Sequence, residues 1–424
     1  MLVLQIILLN LLLAFAGSGK KETKITITPD QGRLITNQIQ QAIDSCAAAG
    51  GGTVYFPKGK FLTGGLKLTS NLTMLLAEGT LIQGSDNYKD YGDGKRPEAL
   101  FSGDNLTNVT FEGKGTIDGV DCTSPTGEEG FRGPHCIRIF NGKNLVFKDI
   151  TIVRSANYAI FCNYSDGVRL KDVKIRGGHD GFHIRFGRNV LAEDCDFRTG
   201  DDAFAGNDNV NYVVKRCSVN TSCHGFRLGG QNVLIEDCRI WGPGEYKHIK
   251  QNRNNTLSAF VYFSPQDANP KLQSGDWLVK NVTVEGVDNV YIYDFAGGLW
   301  QTGQLMQGIR FEGLKVRNVK KGFTVIGDEN RHFQLAIANS TFINDEYNNP
   351  APFKMERTLI DTKHFFDLTN FDKLTLKNVE FKQFPARPLL DIANGNIVQI
   401  SKVKAPAQTS ESLFEFQNVA TVKK

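Results

Sequence analysis

Three aspartates and a histidine in one short stretch, Gly178–Gly225, are the residues best suited to chemistry: Asp180, Asp201, Asp202 and His224. Asp180 and Asp202 stand 22 residues apart, and so do Asp202 and His224. Carboxylates held within a few ångströms of one another cannot all ionise, because repulsion raises the pKa of at least one. Such a cluster keeps a protonated acid beside a charged base. Cleavage of a glycosidic bond needs that division of labour: one carboxylic acid protonates the leaving oxygen, and another carboxylate activates water or attacks. A nearby histidine tunes the acid. Taken singly, Asp-Gly and Gly-Asp-Asp are ordinary turn sequences. The shared 22-residue step sets these residues apart, provided the chain itself repeats at that step.

The chain does repeat. Segments 144–152, 167–175, 189–197, 211–219 and 232–240 each alternate apolar and polar residues around a polar sixth position, namely Asp149, Asp172, Asp194, Arg216 and Asp237. Further copies at 276–284 and 373–381 follow at looser spacing, where loops are inserted. A unit this short cannot bury its inner face alone, so the units must stack. A propeller blade needs about twice the period. The reading is an all-β solenoid, a parallel β-helix of roughly 22-residue coils with strands about 4.8 Å apart. Asp180, Asp202 and His224 then form one column, with Asn157 expected below and Glu245 above, and Asp201 set beside it. Arg227 is equivalent to His183 and Ala205 on the coils beneath. The residues after the polar position, Ile150, Val173, Cys195, Cys217, Cys238 and Val282, read as an interior ladder and not as metal ligands.

Other segments frame this core. Ile35, Ile39, Ala42, Ile43, Cys46 and Ala47 recur at helical spacing before Gly50-Gly51-Gly52, which predicts one amphipathic helix. It is expected to cap the open N-terminal end, whose exposed edge would otherwise invite pairing. Short β runs follow at Thr53–Phe56, Leu66–Leu68, Thr73–Leu76 and Thr80–Gln83. The first residues form an apolar run ending in Ala14-Phe15-Ala16, so residues 1–16 read as a secretory signal and 17–424 as a single catalytic domain. The run is short for a membrane span, although no Lys or Arg precedes it. The expected protein is exported, periplasmic or extracellular, with no stable membrane insertion, and monomeric. Lys and Arg total 49 against 45 Asp and Glu, a net charge of +4 that gives no argument for nucleic acid. Cys122 and Cys136 flank a Gly/Pro-rich segment and are the pair expected to form a disulfide. Asn71, Asn105, Asn108, Asn281 and Asn339 lie in Asn-x-Ser/Thr triplets and read first as turn residues.

On these residues the chain resembles glycoside hydrolase family 28, the polygalacturonase family of right-handed parallel β-helices. The resemblance covers roughly residues 28–320. It rests on QQAIDSCAAAGGGTVYFPKGKFLTGGLKL, AEGTLIQGS, GKGTIDG at 113–119, TGDDAF at 199–204 and CHG at 223–225. It implies Asp201 as general acid, Asp180 and Asp202 as the residues that hold and activate water, and His224 as support for the acid's protonation. It also implies inversion of configuration, no cofactor and no metal, and a polysaccharide or oligosaccharide substrate of pectin-like or other galacturonate or galactose type. Three features depart from the family pattern. Cys223 replaces the first glycine of Gly-His-Gly, Gly178-His179 precedes Asp180 in place of Asn-Thr, and the Arg-Ile-Lys clamp is absent. His248-Ile249-Lys250 is the nearest substitute. Candidate substrate-binding residues are therefore His179, Arg227, Glu245, Lys247 and Lys250, with Arg176 and Arg185 as further carboxylate partners. Trp241, Tyr246, Tyr262, Phe263 and Trp300 are candidates to stack on sugar rings. Two alternatives stay open: a polysaccharide lyase holding Ca²⁺ on Asp180, Asp201 and Asp202 with Lys250 or Arg227 as base, and a carbohydrate-binding solenoid without catalysis.

Overall fold

The computed structural model describes residues 23–92, 98–264, 272–295, 304–344, 351–355, 358–405 and 412–424. The expected leader, residues 1–16, and Trp300 lie outside them. The chain winds into a parallel β-helix. Each full coil contributes three short strands to three faces, and each strand pairs in parallel with its equivalent one coil away. On the face that matters here, Ile160–Asn163, Phe182–His183, Phe204–Lys215, His224–Glu236, Ser258–Tyr262 and Asn289–Asp294 pair in that order.

The polar sixth position of the repeat now has a physical reason. Asp149, Asp172, Asp194, Arg216, Asp237, Asn281, Gly313, Asn339 and Asn378 all turn the chain at φ between 51° and 71°. In that region a Cβ crowds the carbonyl, and Gly, Asn and Asp tolerate it best. Arg216 is the exception, and its guanidinium is tied to Asp194 and Glu193 at 2.8 and 2.9 Å. Asn71, Asn105, Asn108, Asn281 and Asn339, each in an Asn-x-Ser/Thr triplet, share this left-handed geometry. They are turn residues, as read.

Inside the coils the apolar ladder is continuous. Ile150, Val173, Cys195, Cys217, Cys238 and Val282 are all buried. A second ladder is aromatic: Phe182, Phe204, Phe226, Phe260, Tyr291 and Phe323 stand in register on successive coils. Cys122 and Cys136 are free thiols, contrary to the expected disulfide. Cys122 Sγ turns to the Asp86 carbonyl at 3.4 Å, while Cys136 points into the coil with no exposed surface. The helix Thr36–Ala48 buries Ile39, Ala42, Ile43 and Cys46 against the strands Gly52–Phe56 and Leu66–Lys67. A strand at Gly59–Thr63 escaped the sequence pattern. Among the described residues, no helix is long and apolar enough to cross a membrane.

Candidate active site

The site forms where the chain passes from the third strand of one coil to the first strand of the next. Each site residue there precedes a small residue and then a ladder aromatic, in Asp180-Gly-Phe, Asp202-Ala-Phe, His224-Gly-Phe and Ser258-Ala-Phe. Burial of the aromatic therefore fixes the polar residue two positions earlier. The register aligns Asp180 with Asp202 and His224 as the spacing required, because His183 pairs with Ala205 and Ala205 with Arg227. Two neighbours differ from expectation. Ile160 pairs with Phe182, a step of 22, so Tyr158 and not Asn157 lies beneath Asp180. Above His224 stands Ser258, because a long loop, 242–257, is inserted before the next strand and carries Glu245 away to Arg198, at 2.7 Å.

Glycines let the three carboxylates converge. Gly178 has φ +73°, and a Cβ on it would strike the Ser155 carbonyl at 2.5 Å. A Cβ on Gly200 would meet the carbonyls of Gly178 and Lys247 at 2.5 and 2.7 Å, which accounts for the glycine of Gly-Asp-Asp. One oxygen from each of Asp180, Asp201 and Asp202 lies within 4.8 Å of the others. Their surroundings differ. The Asp202 side chain is 1% exposed and accepts hydrogen bonds from Arg227 Nη1 (2.6 Å) and from the His224 backbone N–H (3.1 Å). The Asp180 carboxyl meets His183 Nδ1 at 2.8 Å. The Asp201 side chain is the most open of the three, at 11%, and its Oδ2 receives Arg132 Nη2 at 3.1 Å with His248 Nε2 at 3.5 Å.

The electrostatics follow from these partners. Burial, then the charges of Asp201 and Asp202, push the Asp180 carboxyl well above the usual range and outweigh Arg132 and Arg227. Burial works in the same direction on Asp201, but the hydrogen bond and charge of His248 and the charge of Arg132 hold it well below. In the free protein the proton of this cluster therefore sits on Asp180. Burial, then Arg227, keeps His183 neutral, so its contact with Asp180 joins two neutral groups.

The remaining candidates scatter. Arg227 lies against Asp202 and over the Phe263 ring, 3.8 Å from its centre. His179 is buried beside Phe131. Lys250 reaches across to Glu129 (3.2 Å), which in turn binds Arg132 (3.0 Å). Lys247 faces Asn252, and Arg176 is paired with Asp196. His224 turns its ring to the Ser258 hydroxyl, 2.7 Å away. Tyr262 is core. Arg132 and Glu129 escaped the sequence reading, and His248 entered it only as part of His248-Ile249-Lys250 and not as a partner of Asp201, since all three arrive on loops outside the repeat and no period marks them.

Two histidines give a test by pH. Burial, followed by nearby arginines, lowers His135 and His179 to about 3, against an ordinary 6.5. Because the folded values are depressed, the unfolded chain binds more protons, and the stability these groups confer is full above pH 6.5. It is lost as pH falls from 6.5 towards 3, at about 1.4 kcal/mol per pH unit for each histidine. His135→Gln retains an acceptor for the Tyr158 amide. Across that window its unfolding free energy is expected to gain on the wild type's by about that slope. A difference that does not vary with pH, measured by urea titration, contradicts this.

The parallel β-helix thus gathers three aspartates in unlike surroundings on adjacent coils. Residues 46–258, half of the chain, match the family described as Glycosyl hydrolases family 28. The chain belongs to that family. It is 26% identical over 46% of its length to the "Probable polygalacturonase" of Vitis vinifera and spans 43% of that relative. The Family 28 exopolygalacturonase of Yersinia enterocolitica superposes with a TM-score of 0.60 at 18% identity, covering 95% of this chain and 78% of that one. The Streptococcus pneumoniae surface protein and adhesin PfbA superposes with a TM-score of 0.50 at 14% identity, covering 95% of this chain and 99% of that one. At such identities the likeness is one of fold, so the residues must carry the argument for activity.

Proposed function

We propose that the protein is a secreted glycoside hydrolase that cuts a galacturonate-containing, pectin-like glycan. The observation that carries this reading is the cluster of Asp180, Asp201 and Asp202, within 4.8 Å and in unlike surroundings. Asp201, the most open, is the general acid towards the leaving oxygen. Asp180 and Asp202 hold the attacking water together on the far side of the sugar. The nearest oxygens of Asp201 and of this pair lie within 4.8 Å, closer than the roughly 6.5–9.5 Å usual between the acid and the base of inverting enzymes. His224 steadies the column through Asp202 and Ser258.

The acidic substrate is supported by the sheet leading away from the carboxylates. Arg138, Phe161, His183, Ala205 and Arg227 occupy one register column, and Arg185 follows two residues after His183. Arginines along a groove attract and orient uronate carboxylates. The Ca²⁺ lyase reading fits poorly, because Arg132 and Arg227 already neutralise two of the three carboxylates and Lys250 is bound to Glu129. Export of the chain, a right-handed coil, a single domain capped by the helix Thr36–Ala48, and a monomeric state complete the proposal.

The test is release of reducing ends from polygalacturonate, methyl-esterified pectin and galactan, with product configuration followed by proton NMR. Polygalacturonate is expected to be cut fastest, with inverted product and no unsaturated-sugar absorbance. Unsaturated products that disappear with a chelator would establish a lyase. Binding without cleavage of any glycan would leave a carbohydrate-binding solenoid.

A further inference from the structure

The general acid of the proposed reaction is held ionised in the free protein by His248 and Arg132, both outside the repeat, and Arg132 makes the shorter contact, 3.1 Å against 3.5 Å. Arg132 arrives on the loop between the strands Thr116–Asp118 and His135–Phe140. It is 8% exposed, and each of its three guanidinium nitrogens has a partner: Nε on Glu129 (3.0 Å), Nη1 on Asn157 (3.5 Å) and Nη2 on Asp201 (3.1 Å). Glu129 also accepts from Lys250, which comes from the loop 242–257. Lys250, Glu129, Arg132 and Asp201 thus form a chain of alternating charge between two loops that flank the carboxylates. The Lys250 end is half-exposed, at 51%. Glu129 holds the chain from a left-handed backbone, φ 56°, a conformation that costs about 1 kcal/mol or more and accompanies switch positions.

We propose that Arg132 is a positioning residue that the carboxylate of a bound uronate withdraws from Asp201, and that its departure allows Asp201 to serve as the acid. The inference rests on the proposed function. A sugar carboxylate entering at Lys250 competes with Glu129 and Asp201 for the same guanidinium, and a bidentate contact rewards it. The groups then left facing Asp201 are His248 and His179 from the flanking loops and Asp180 and Asp202 from the cluster. With the guanidinium gone, the proton on Asp180 passes to Asp201 across a gap of no more than 4.8 Å, directly or by way of one water. The sum of charge and protons is unchanged: Asp180 becomes the base and Asp201 the acid. Asp201 then gives its proton to the leaving oxygen, the attacking water gives one to Asp180, and the cluster is back in its free state. One water is consumed for each bond broken. A neutral or esterified sugar lacks the trigger, so the device selects for uronate at the step of protonation as well as at binding.

The experiment is carboxyl ¹³C NMR titration of the full chain labelled at aspartate, with resonances assigned through Asp180→Asn and Asp201→Asn. In the free wild type, Asp201 is expected to ionise at lower pH than Asp180. Saturating galacturonic acid should raise the Asp201 midpoint by about one unit or more and lower that of Asp180. In Arg132→Gln the Asp201 midpoint should already be raised, and galacturonic acid should no longer move it. Arg132→Lys keeps the charge without the fork, retains the low midpoint, and guards against a folding defect in the glutamine variant. In kinetics, Arg132→Gln should reduce the preference in kcat/KM for a galacturonate oligomer over its methyl ester about tenfold. Galacturonic acid that binds without shifting Asp201, or an Arg132→Gln protein whose Asp201 titrates as in the wild type, overturns the proposal. If galacturonic acid does not bind, the uronate reading and the sugar trigger both fall. The free-state titration of Arg132→Gln still reports separately whether Arg132 holds Asp201 ionised.

Discussion

Asp201→Asn is expected to lower kcat on polygalacturonate by about three orders of magnitude, within the 10²–10⁴ usual for loss of a general acid. KM should change little, because the side chain keeps its shape and its polar contacts. Asn accepts from Arg132 and His248 much as Asp does, but it carries no proton to deliver. The fold should survive, since the ladder residues Phe182, Phe204 and Phe226 that set the site are untouched. Asp180→Asn and Asp202→Asn should also be crippled, by loss of the base, and combining any two should cost less than the sum. The discriminating measurement uses a substrate with an activated leaving group such as nitrophenolate, which needs little protonation. Asp201→Asn should regain a large part of its rate on that substrate, and Asp180→Asn should not. Equal losses on both substrates would remove Asp201 from the acid role.

The largest effect on stability is expected at Phe226. Its side chain has no exposed surface and lies between Phe204 and Phe260, with ring centres at 5.0 and 5.5 Å and planes within 7° and 14° of parallel. Phe226→Ala removes a ring from the middle of a stack whose neighbours are held by the strand ladders and cannot close the gap. A cost of about 3–5 kcal/mol follows. A solenoid is stabilised coil by coil, so the damage should be local. Hydrogen exchange should accelerate most in the strands Phe204–Lys215, His224–Glu236 and Ser258–Tyr262, and least in the N-terminal coils. Activity should fall with stability, because His224 lies two residues before Phe226 and Arg227 one after. Phe226→Leu fills most of the space and should cost about 1.5 kcal/mol or less. Uniform exchange along the chain in Phe226→Ala would show that the coils unfold as one unit and not one by one.

Most of the site residues that the sequence misplaced or missed lie off the ladder. Within the coils every residue is bound to a period, because a parallel ladder forces equivalent residues above one another. The left-handed turn positions, the cysteine ladder and the alignment of Asp180, Asp202 and His224 are all visible in that period. The period fails where the chain leaves the ladder. Ser258 follows His224 by 34 residues, because a loop lies between them. Tyr158 is a different case: the ladder keeps its step of 22 there, and the expectation of Asn157 comes only from carrying a step of 23 down from the neighbouring repeat.

The sequence by itself determined the coil and the three carboxylates upon it, since both depend on spacing that the ladder turns directly into position. The tertiary structure alone decided which carboxylate carries the proton. Arg132 and His248 reach Asp201 from loops centred some 120 residues apart, at 3.1 and 3.5 Å, and both loops are free of the repeat. Local spacing orders residues along a strand, whereas the charge of a buried acid is set by whatever the fold brings within a few ångströms of it.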